Sequence, residues 1–495
     1  MSDDIAAAID DLEILITAQE AYPAFERLWL SAERSIVGCF RVFDLSTRLR
    51  SPEARAVGET WFDLLVHKLN EGVEVDITVT DFDPIIATDD HRRSWLSARQ
   101  LAGAGEIAEG GTLRFSIALH PARVGLLPRL VLRGKVKAEL ETTDQDDLTP
   151  GVAELNPSGD LPLVPATHHQ KLCVVDDTAL YIGGLDLNER RYDTLSHALP
   201  AEETWQDIQA IVRGPVVAAA ATHLSTFKGV VEAEADAPPE AAGFLRTLST
   251  KRAVQVVRIS PRPAITEIEA AHLDAIRATT GPLYFETQFF RHMPLAEALA
   301  DAARERPELT CCLILPASPE DVAFEGNEAE DAQFGAQKQM EAIDCIADAF
   351  GDRLALLSPA RPAPSEFPPG SPATLHGAPI IYVHSKLSLF GGEQAILSSA
   401  NLNGRSLRWD TEAGVHLTNS EHVRALWDRA LGHWLGDLRP DPYSDPLAFA
   451  ETLNTLAARN LATKPQERQH FLLPYSRARD QELAAPLPGV PPEMV

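Results

Sequence analysis

The chain has 495 residues, of which 45% are hydrophobic and 23% charged, a composition typical of a globular protein with room for two large domains. Its formal net charge of −28 argues against a nucleic-acid partner, because neutralised phosphates supply most nonspecific affinity for long polyanions. No run approaches the ~18 apolar residues of a membrane span, and residues 1–4 are acidic where a signal peptide would be basic. We therefore expect a cytoplasmic or peripheral membrane protein, and export that needs no signal peptide stays open.

Five cysteines occur, none with CxxC spacing, and most lie inside apolar runs. This pattern indicates buried free thiols in a reducing compartment rather than disulfides or a zinc site. The sequence shows no other metal-ligand cluster, so we expect catalysis to need no metal and no cofactor.

The first part of the chain alternates helices and strands in the manner of an α/β domain. Apolar periodicity predicts a helix over 21–34, a helix around Trp61, and strands over 36–43, 73–79, 113–119 and 208–212. The segment 123–137 carries five basic residues and no acidic one. It is either a surface for anionic headgroups or, more commonly, an ordinary solvated helix face. The acidic segment 139–165 is predicted to be a long loop.

The composition of residues 232–243 is that of a linker, so we predict a first lobe over 1–235 and a second over 244–438. The second half repeats the helix-then-strand order, with strands over 254–259, 283–290 and 313–315 and a helix over 265–279, which favours an internal duplication. The helix after Ser420 has a full apolar face and is predicted to lie in the core. Residues 439–495, with many prolines and no periodicity, are predicted to form a C-terminal arm on the surface.

One pattern, His-x-Lys on a predicted strand that runs into a turn, occurs twice, at 169–176 and 384–391. Seven positions after each copy comes a small polar loop, Gly183 to Asp186 and Ser398 to Asn401. Residues two apart on a strand face the same side. This pairing suits phosphate chemistry, because a histidine can attack or donate a proton while a lysine neutralises a phosphoryl oxygen. The predicted catalytic residues are His169, Lys171, His384 and Lys386.

The two copies resemble the phospholipase D superfamily, whose signature is HxKxxxxD followed by a Gly/Ser-rich loop ending in Asn. The first copy ends its loop in Asp186 instead, and the second has Gly391 at the position of the motif Asp. The strand 284–290 and the segment 204–207 with a following Gly-Pro resemble segments of the lipid-acting members. The resemblance, which spans roughly 36 to 435, implies two α/β sandwich lobes related by a pseudo-twofold axis, with one active site at their interface.

The resemblance also implies the reaction and the roles. His169 would be the nucleophile that forms a phosphohistidine, and His384 the general acid and base. The substrate would be a glycerophospholipid, giving phosphatidic acid and a headgroup alcohol, with transphosphatidylation when another alcohol replaces water. We expect a monomer that contacts the membrane peripherally.

Further residues are predicted around the two motifs. Each histidine needs an acceptor for its other ring nitrogen, and the resemblance assigns Asp207 to His169 and Glu412 to His384. Glu286 and Gln288 either line the substrate site or brace their strand. The residues expected at the phosphate are Asp186, Asn401, Ser399 and Gly184.

Strand parity places Asp176 and Gly391 on the face opposite the catalytic pairs, at hairpin turns. We therefore interpret Gly391 as a turn residue rather than a lost catalytic group. Three other functions stay open: a phosphatidyltransferase of the cardiolipin or phosphatidylserine synthase type, a nuclease of the same superfamily, and a degenerate, non-catalytic lipid-binding protein that Gly391 would permit.

Overall fold

The computed structural model describes residues 8–143, 148–155 and 163–495. The predictions for the acidic N-terminus and for the middle of the 139–165 loop lie outside these residues. We call residues 8–231 the first lobe and residues 244–495 the second lobe.

The first lobe carries one seven-stranded sheet. Its strands are β1 Asp11–Ile16, β2 Ser35–Phe40, β3 Glu74–Thr80, β4 Thr112–Ala118, β5 Leu172–Val175, β6 Ala179–Gly183 and β7 Ile208–Arg213. Its helices are α1 Thr17–Leu30, α2 Pro52–Arg55, α3 Trp61–Asn70, α4 Thr88–Ile107, α5 Leu126–Thr142, α6 Pro150–Leu155 and α7 Val216–Val231.

The second lobe carries a nine-stranded sheet and a small separate hairpin. Its strands are β8 Phe244–Thr250, β9 Arg262–Thr266, β10 Leu283–Glu286, β11 Cys311–Ile314, β12 Leu354–Pro359, β13 Thr374–Leu375, β14 Ala378–Pro379, β15 Leu387–Phe390, β16 Gln394–Ser398, β17 Glu412–Leu417 and β18 Leu472–Pro474. Its helices are α8 Glu267–Ala278, α9 Met293–Glu305, α10 Glu330–Phe350, α11 Gly404–Arg408, α12 Ser420–Leu435, α13 Phe449–Leu461 and α14 Arg477–Leu483.

The two sheets share one strand order. The order β1-β7-β6-β5-β2-β3-β4 in the first sheet recurs in the second as β8-β17-β16-β15-β10-β11-β12, with β9 and β18 added at the edges. In both sheets the motif strand, β5 or β15, pairs antiparallel with the first of three parallel strands. Such a repeat is what an internal duplication produces.

The two sheets pack face to face around a common core. Leu172 and Val174 of β5 lie in the same apolar cluster as Leu387 and Leu389 of β15, together with helices α7 and α12. Cys173, one residue out of phase, instead faces the outer helices α1 and α3. The lobes therefore form one body with a shared interior, and each sheet has a second core on its outer face.

Helix α12 shows how sequence periodicity builds this interior. The side chain of Asn419 caps it by accepting a hydrogen bond from the backbone N–H of Glu421, and Gly436, at φ 57°, ends it. The residues of its predicted apolar face recur at spacings of three and four and are buried, as the sequence predicted.

Three predicted elements differ. The predicted loop 139–165 is partly helical, since α5 continues to Thr142 and α6 covers Pro150–Leu155. Residues 254–259 form no strand but part of a loop between β8 and β9, because their backbone bonds to the start of α5 instead of to a neighbouring strand. The C-terminal segment is also more integrated than a surface arm: β18 extends the second sheet, and Phe449 and Leu453 of α13 lie in the shared core.

Candidate active site

Both His-x-Lys motifs lie in extended residues just before a strand, at the junction of the two lobes. The strands begin at Leu172 and Leu387, so the prediction that the motifs themselves lie on strands is wrong. The reason is that these residues bond to the other lobe. The backbone N–H of His169 donates to the carbonyl of Thr411 at 2.8 Å, and that of His384 to the carbonyl of Gln206 at 2.7 Å.

These cross-lobe bonds decide which acid each histidine meets. His169 Nδ1 lies 2.9 Å from Glu412 Oε1, and His384 Nδ1 lies 2.5 Å from Asp207 Oδ2. The pairing is the reverse of the predicted one, in which each acid served the histidine of its own lobe. Because Glu412 follows Thr411 and Asp207 follows Gln206, the backbone bonds carry each carboxylate across the junction.

A small residue makes room for each carboxylate. A Cβ on Gly184 would lie 2.3 Å from Asp207 Oδ1, so a larger residue there would displace the carboxylate. At the equivalent place in the second lobe, the hydroxyl of Ser399 donates to Glu412 Oε2. Gly184 and Ser399 thus support the acids directly, although the sequence placed them at the phosphate.

The two lysines are buried beside the histidines. Lys171 Nζ donates to the carbonyl oxygen of His169 at 2.6 Å and lies 3.7 Å from Asp186 Oδ2. Lys386 Nζ donates to the carbonyl of His384 in the same way. Burial lowers the pKa of Lys386 to about 7. Two ammonium groups with so few partners are suited to an anionic ligand.

The last residue of each polar loop, Asp186 or Asn401, has one side-chain oxygen without a hydrogen-bond partner among the described residues. Asp186 Oδ1 accepts the backbone N–H of Val42 at 2.9 Å, and Asn401 Nδ2 donates to Gln288 Oε1 at 3.1 Å. In the described part of the chain, Asp186 Oδ2 and Asn401 Oδ1 are buried without a hydrogen-bond partner. Gln288 in turn donates to the hydroxyl of Tyr382 at 2.8 Å, so it belongs to the surroundings of the second motif.

Burial dominates the electrostatics of the histidine–acid pairs. It raises the pKa of Asp207 to about 7 and that of Glu412 to about 8. It also lowers the pKa of both imidazoles well below the usual range, and the lysines of both motifs add to this effect. Because His169 contacts Glu412 and His384 contacts Asp207, each across the lobe junction, the two motifs meet at one place.

The four motif side chains differ in access. The His169 side chain is 14% exposed, whereas those of His384 and Lys171 are 3% and 0% exposed. His169 is therefore the more accessible of the two motif histidines. His168 points elsewhere, with its Nδ1 2.8 Å from the hydroxyl of Thr411.

Glu286 lies behind the second motif. Its carboxylate accepts hydrogen bonds from Tyr284, Ser385 and the indole N–H of Trp434, and the residue is 1% exposed. Ser385 stands between His384 and Lys386. This arrangement fits the bracing alternative, because Glu286 holds the side chain of the residue between the two motif residues.

The two turn residues, Asp176 and Gly391, make different contacts. Asp176 has φ 52°, and its carboxylate accepts the backbone N–H groups of Glu33, Arg34 and Ser35 ahead of β2. Gly391 has φ 54°, and its carbonyl accepts the indole N–H of Trp427 at 2.7 Å. The backbone N–H of Asp176 donates to the carbonyl of Ser35, the first residue of β2, and that of Gly391 donates to the carbonyl of Pro282, just before β10. Pro282 has no N–H, so an aspartate at 391 would lack one of the donors that Asp176 uses.

Trp205 and Arg191 lie beside His384, and neither was predicted from the sequence to have a role there. The Trp205 ring stacks on the His384 ring at 3.8 Å and 16°, and the guanidinium of Arg191 lies 3.5 Å from the centroid of the Trp205 ring. Arg191 is in turn paired with Glu320. The position of Trp205, two residues before an acidic side chain, was the only sequence signal for this contact.

Within the ranges that the structure covers, no helix has the length and apolarity needed to cross a bilayer. In the same ranges, no three His, Cys, Asp or Glu side chains are grouped so as to hold a metal ion.

Comparison with known proteins informs the fold. A scan against protein-family models and a search of curated proteins each found no match. Among solved structures, the chain is similar to phosphatidylserine synthase from Haemophilus influenzae Rd KW20, with a TM-score of 0.51 and 11% identity over 91% of this chain and 94% of that one. It is also similar to polyphosphate kinase from Porphyromonas gingivalis, with a TM-score of 0.44 and 11% identity over 84% of this chain and 46% of that one, a likeness too weak to support an inference. The two large sheets and the first of these likenesses confirm the predicted two-lobe α/β fold.

Proposed function

We propose that the chain is an enzyme that cleaves a phosphodiester by two-step transfer through a phosphohistidine, with a glycerophospholipid as substrate. The observation that carries the proposal is the pair of buried histidine–carboxylate contacts, His169 with Glu412 and His384 with Asp207, flanked by two buried lysines. Two activated imidazoles in one site are what double displacement at phosphorus needs.

In the first step His169 Nε2 attacks phosphorus, and the bond from phosphorus to the headgroup oxygen breaks. His169 is the more exposed histidine, and its Nδ1 contact with Glu412 leaves Nε2 free to attack. His384 donates the proton that the leaving alcohol requires. Lys171 and Lys386 stabilise the charge that develops on the phosphoryl oxygens.

In the second step His384 removes a proton from water, and the hydroxide displaces His169 from phosphorus. The product is phosphatidic acid, and both histidines return to their starting state. The raised pKa of Asp207 suits this exchange, because the pair of Asp207 with His384 then gains and loses a proton close to neutral pH.

A phosphatidyltransferase is the second candidate. It uses the same intermediate, with an alcohol acceptor instead of water. The fold likeness to phosphatidylserine synthase over nearly the full length of both chains favours it. The choice between the two depends on which acceptor reaches the phosphohistidine.

One assay addresses both candidates. The protein is incubated with a panel of phospholipids, with and without a primary alcohol or free serine, and the lipid products are identified by mass spectrometry. Phosphatidic acid as the main product supports the hydrolase. A phosphatidyl-alcohol or phosphatidylserine supports the transferase and the shared intermediate.

The matched controls are single histidine variants. His169→Ala and His384→Ala should each lose all measurable turnover, since removing an acid or base costs ~10²–10⁴-fold and removing the nucleophile costs more. His91→Ala removes another buried histidine with an aspartate contact, His91 Nδ1 to Asp81 Oδ1 at 2.7 Å, and should stay active. No lipid product from any substrate, or near-normal activity in either motif variant, would overturn the proposal.

A further inference from the structure

Helix α5 has two apolar faces, and only one is used by the core. Val136 and Leu140 are buried in a cluster with Ile85 and Val124. A second stripe, at spacings of one and four, is open to solvent. Its members are Leu126 (48% exposed), Leu127 (50%), Leu130 (56%) and Val131 (82%). An apolar stripe of this kind on a soluble helix normally faces a partner.

The loop 251–261, between β8 and β9, extends this stripe. It adds three exposed side chains, Val254 (78%), Val256 (45%) and Val257 (65%). The loop is held against α5 by backbone hydrogen bonds from Leu127 N–H to the carbonyl of Val256 at 2.8 Å and from Gly125 N–H to the carbonyl of Arg258 at 2.9 Å. We call the seven exposed side chains of α5 and this loop the apolar platform.

Cations border the platform in a strongly acidic chain. Arg252, Arg258 and Arg262 lie in or beside the loop, and in the described part of the chain none of them has an ion pair with a carboxylate. The pKa of Arg252 is lowered by burial and by the positive charges of Arg258 and Arg262. Three arginines that repel one another at an apolar surface, while the chain carries a net charge of −28, indicate an anionic partner.

The platform emerges at the same edge of the sheets as the active site. Helix α5 follows β4, which runs parallel to β3, and the last residue of β3, Thr80, donates its hydroxyl to the carbonyl of His168. The loop follows β8, which pairs with β17 in the register Thr247 to Glu412. Both parts therefore lie beyond the strand ends that bear His169 and Glu412.

We propose that the apolar platform docks onto an anionic phospholipid bilayer. Leucine and valine side chains would enter the boundary between headgroups and acyl chains, and the arginines would contact the headgroup phosphates. The combination of aliphatic side chains with a basic border favours a bilayer over an acidic protein, which would need hydrogen-bonding groups opposite the arginines. Binding of this kind goes beyond the proposed function, since it requires no turnover.

Vesicle flotation tests the proposal. The full chain carrying His169→Ala, which keeps the lipid composition constant, is mixed with vesicles of phosphatidylcholine alone or of phosphatidylcholine with phosphatidylglycerol. Binding should require the anionic lipid and weaken with salt. Arg258→Glu with Arg262→Glu should lower the partition coefficient by at least roughly 25-fold, at about fivefold for each arginine lost. Leu127→Asp with Val131→Asp should lower it by about tenfold or more.

Two controls make changes of the same kind elsewhere. Arg277→Glu with Arg304→Glu alters the net charge equally, at side chains that are 66% and 59% exposed. Leu447→Asp alters another exposed leucine, 60% exposed. Both controls should bind as the parent does. No binding by the parent, or equal binding by platform variants and controls, would overturn the proposal.

A second measurement separates this proposal from the proposed function. With His169 intact, the platform variants are assayed on a short-chain phospholipid dissolved as monomers. The platform variants should turn over this dissolved lipid as the parent does. Turnover by the parent, together with no vesicle binding by the parent, would reject the docking surface and leave the enzyme. Vesicle binding as expected, without turnover of any phospholipid, would keep the docking surface and reject the enzyme.

Discussion

The contact of each motif histidine with a carboxylate of the other lobe can be tested with Asp207→Asn. Asp207 Oδ1 accepts the backbone N–H of Ile208 at 2.8 Å, so the amide oxygen of the variant should stay there and its NH₂ group should face His384. His384 Nδ1 would then accept a hydrogen bond, and the imidazolium form would lose its carboxylate. Because the side chains are 3% and 0% exposed, water cannot replace the contact. We expect turnover to fall ~10²–10⁴-fold, or about 2.7–5.4 kcal/mol of barrier.

The histidine that responds identifies the pairing. In protein labelled with ¹⁵N at histidine, Asp207→Asn should shift the imidazole signals of His384 and leave those of His169 in place. Glu412→Gln should do the opposite. The two histidines are assigned with their alanine variants. Asp193→Asn is the control, since Asp193 Oδ2 has a similar buried contact with His197 Nδ1 at 2.7 Å, and it should leave turnover unchanged. A shift of His169 in Asp207→Asn would refute the exchange.

Three more predictions concern the lysines, the second turn and a buried histidine. Lys171→Ala and Lys386→Ala should each lower turnover by an amount equal to about 3–4 kcal/mol of lost transition-state stabilisation. A large fall in the melting temperature of either variant would show instead that the lysine has a structural role. Gly391→Asp places a Cβ 3.3 Å from Thr279 Oγ1 at a residue whose φ is 54°, so the free energy of unfolding should fall by about 1 kcal/mol. Turnover should change by less than ~10-fold. A hundredfold gain in turnover would instead show that the second motif lacks a catalytic aspartate. Burial lowers the pKa of His272 to about 4, so below pH ~6.5 the unfolded chain binds a proton that the folded chain does not. The free energy of unfolding therefore falls as the pH falls. Between pH 7 and pH 5 it should fall by about 2 kcal/mol more in the parent than in His272→Gln, as measured by urea unfolding at both pH values. Equal losses in the two proteins would contradict a lowered pKa for His272.

Sequence reasoning predicted what periodicity and repetition encode. The apolar face of α12, the strands around 36–43, 73–79 and 113–119, and the two-lobe α/β fold all follow from local patterns that the structure keeps. The site itself was predicted only as a set of residues. Which carboxylate meets His169 depends on backbone bonds between Thr411 and the first motif, more than 240 positions apart, and no local pattern records such a bond.

The same limit explains two of the elements that differ. Val254 to Ile259 has the composition of a strand, but a strand forms only where a partner edge is free, and the backbone of this segment bonds to α5. In the C-terminal segment, β18 has only three residues, too few to show a periodicity. Helix α13 does bury Phe449, Leu453 and Ala457 at a helical spacing of four, a pattern that the sequence analysis did not use. The place of β18 was set by the open edge of β12, which is a property of the folded sheet.

The contact of each histidine with a carboxylate of the other lobe also governs what becomes of the chain when it is cut. If the chain were divided in the segment 232–243, each fragment would carry one His-x-Lys motif and one carboxylate that belong to different catalytic pairs. Neither fragment could be active alone, and two copies of one fragment could restore a working pair only by associating head to head. Mixing the fragments should therefore restore activity by complementation, with a concentration dependence set by the affinity of one half for the other.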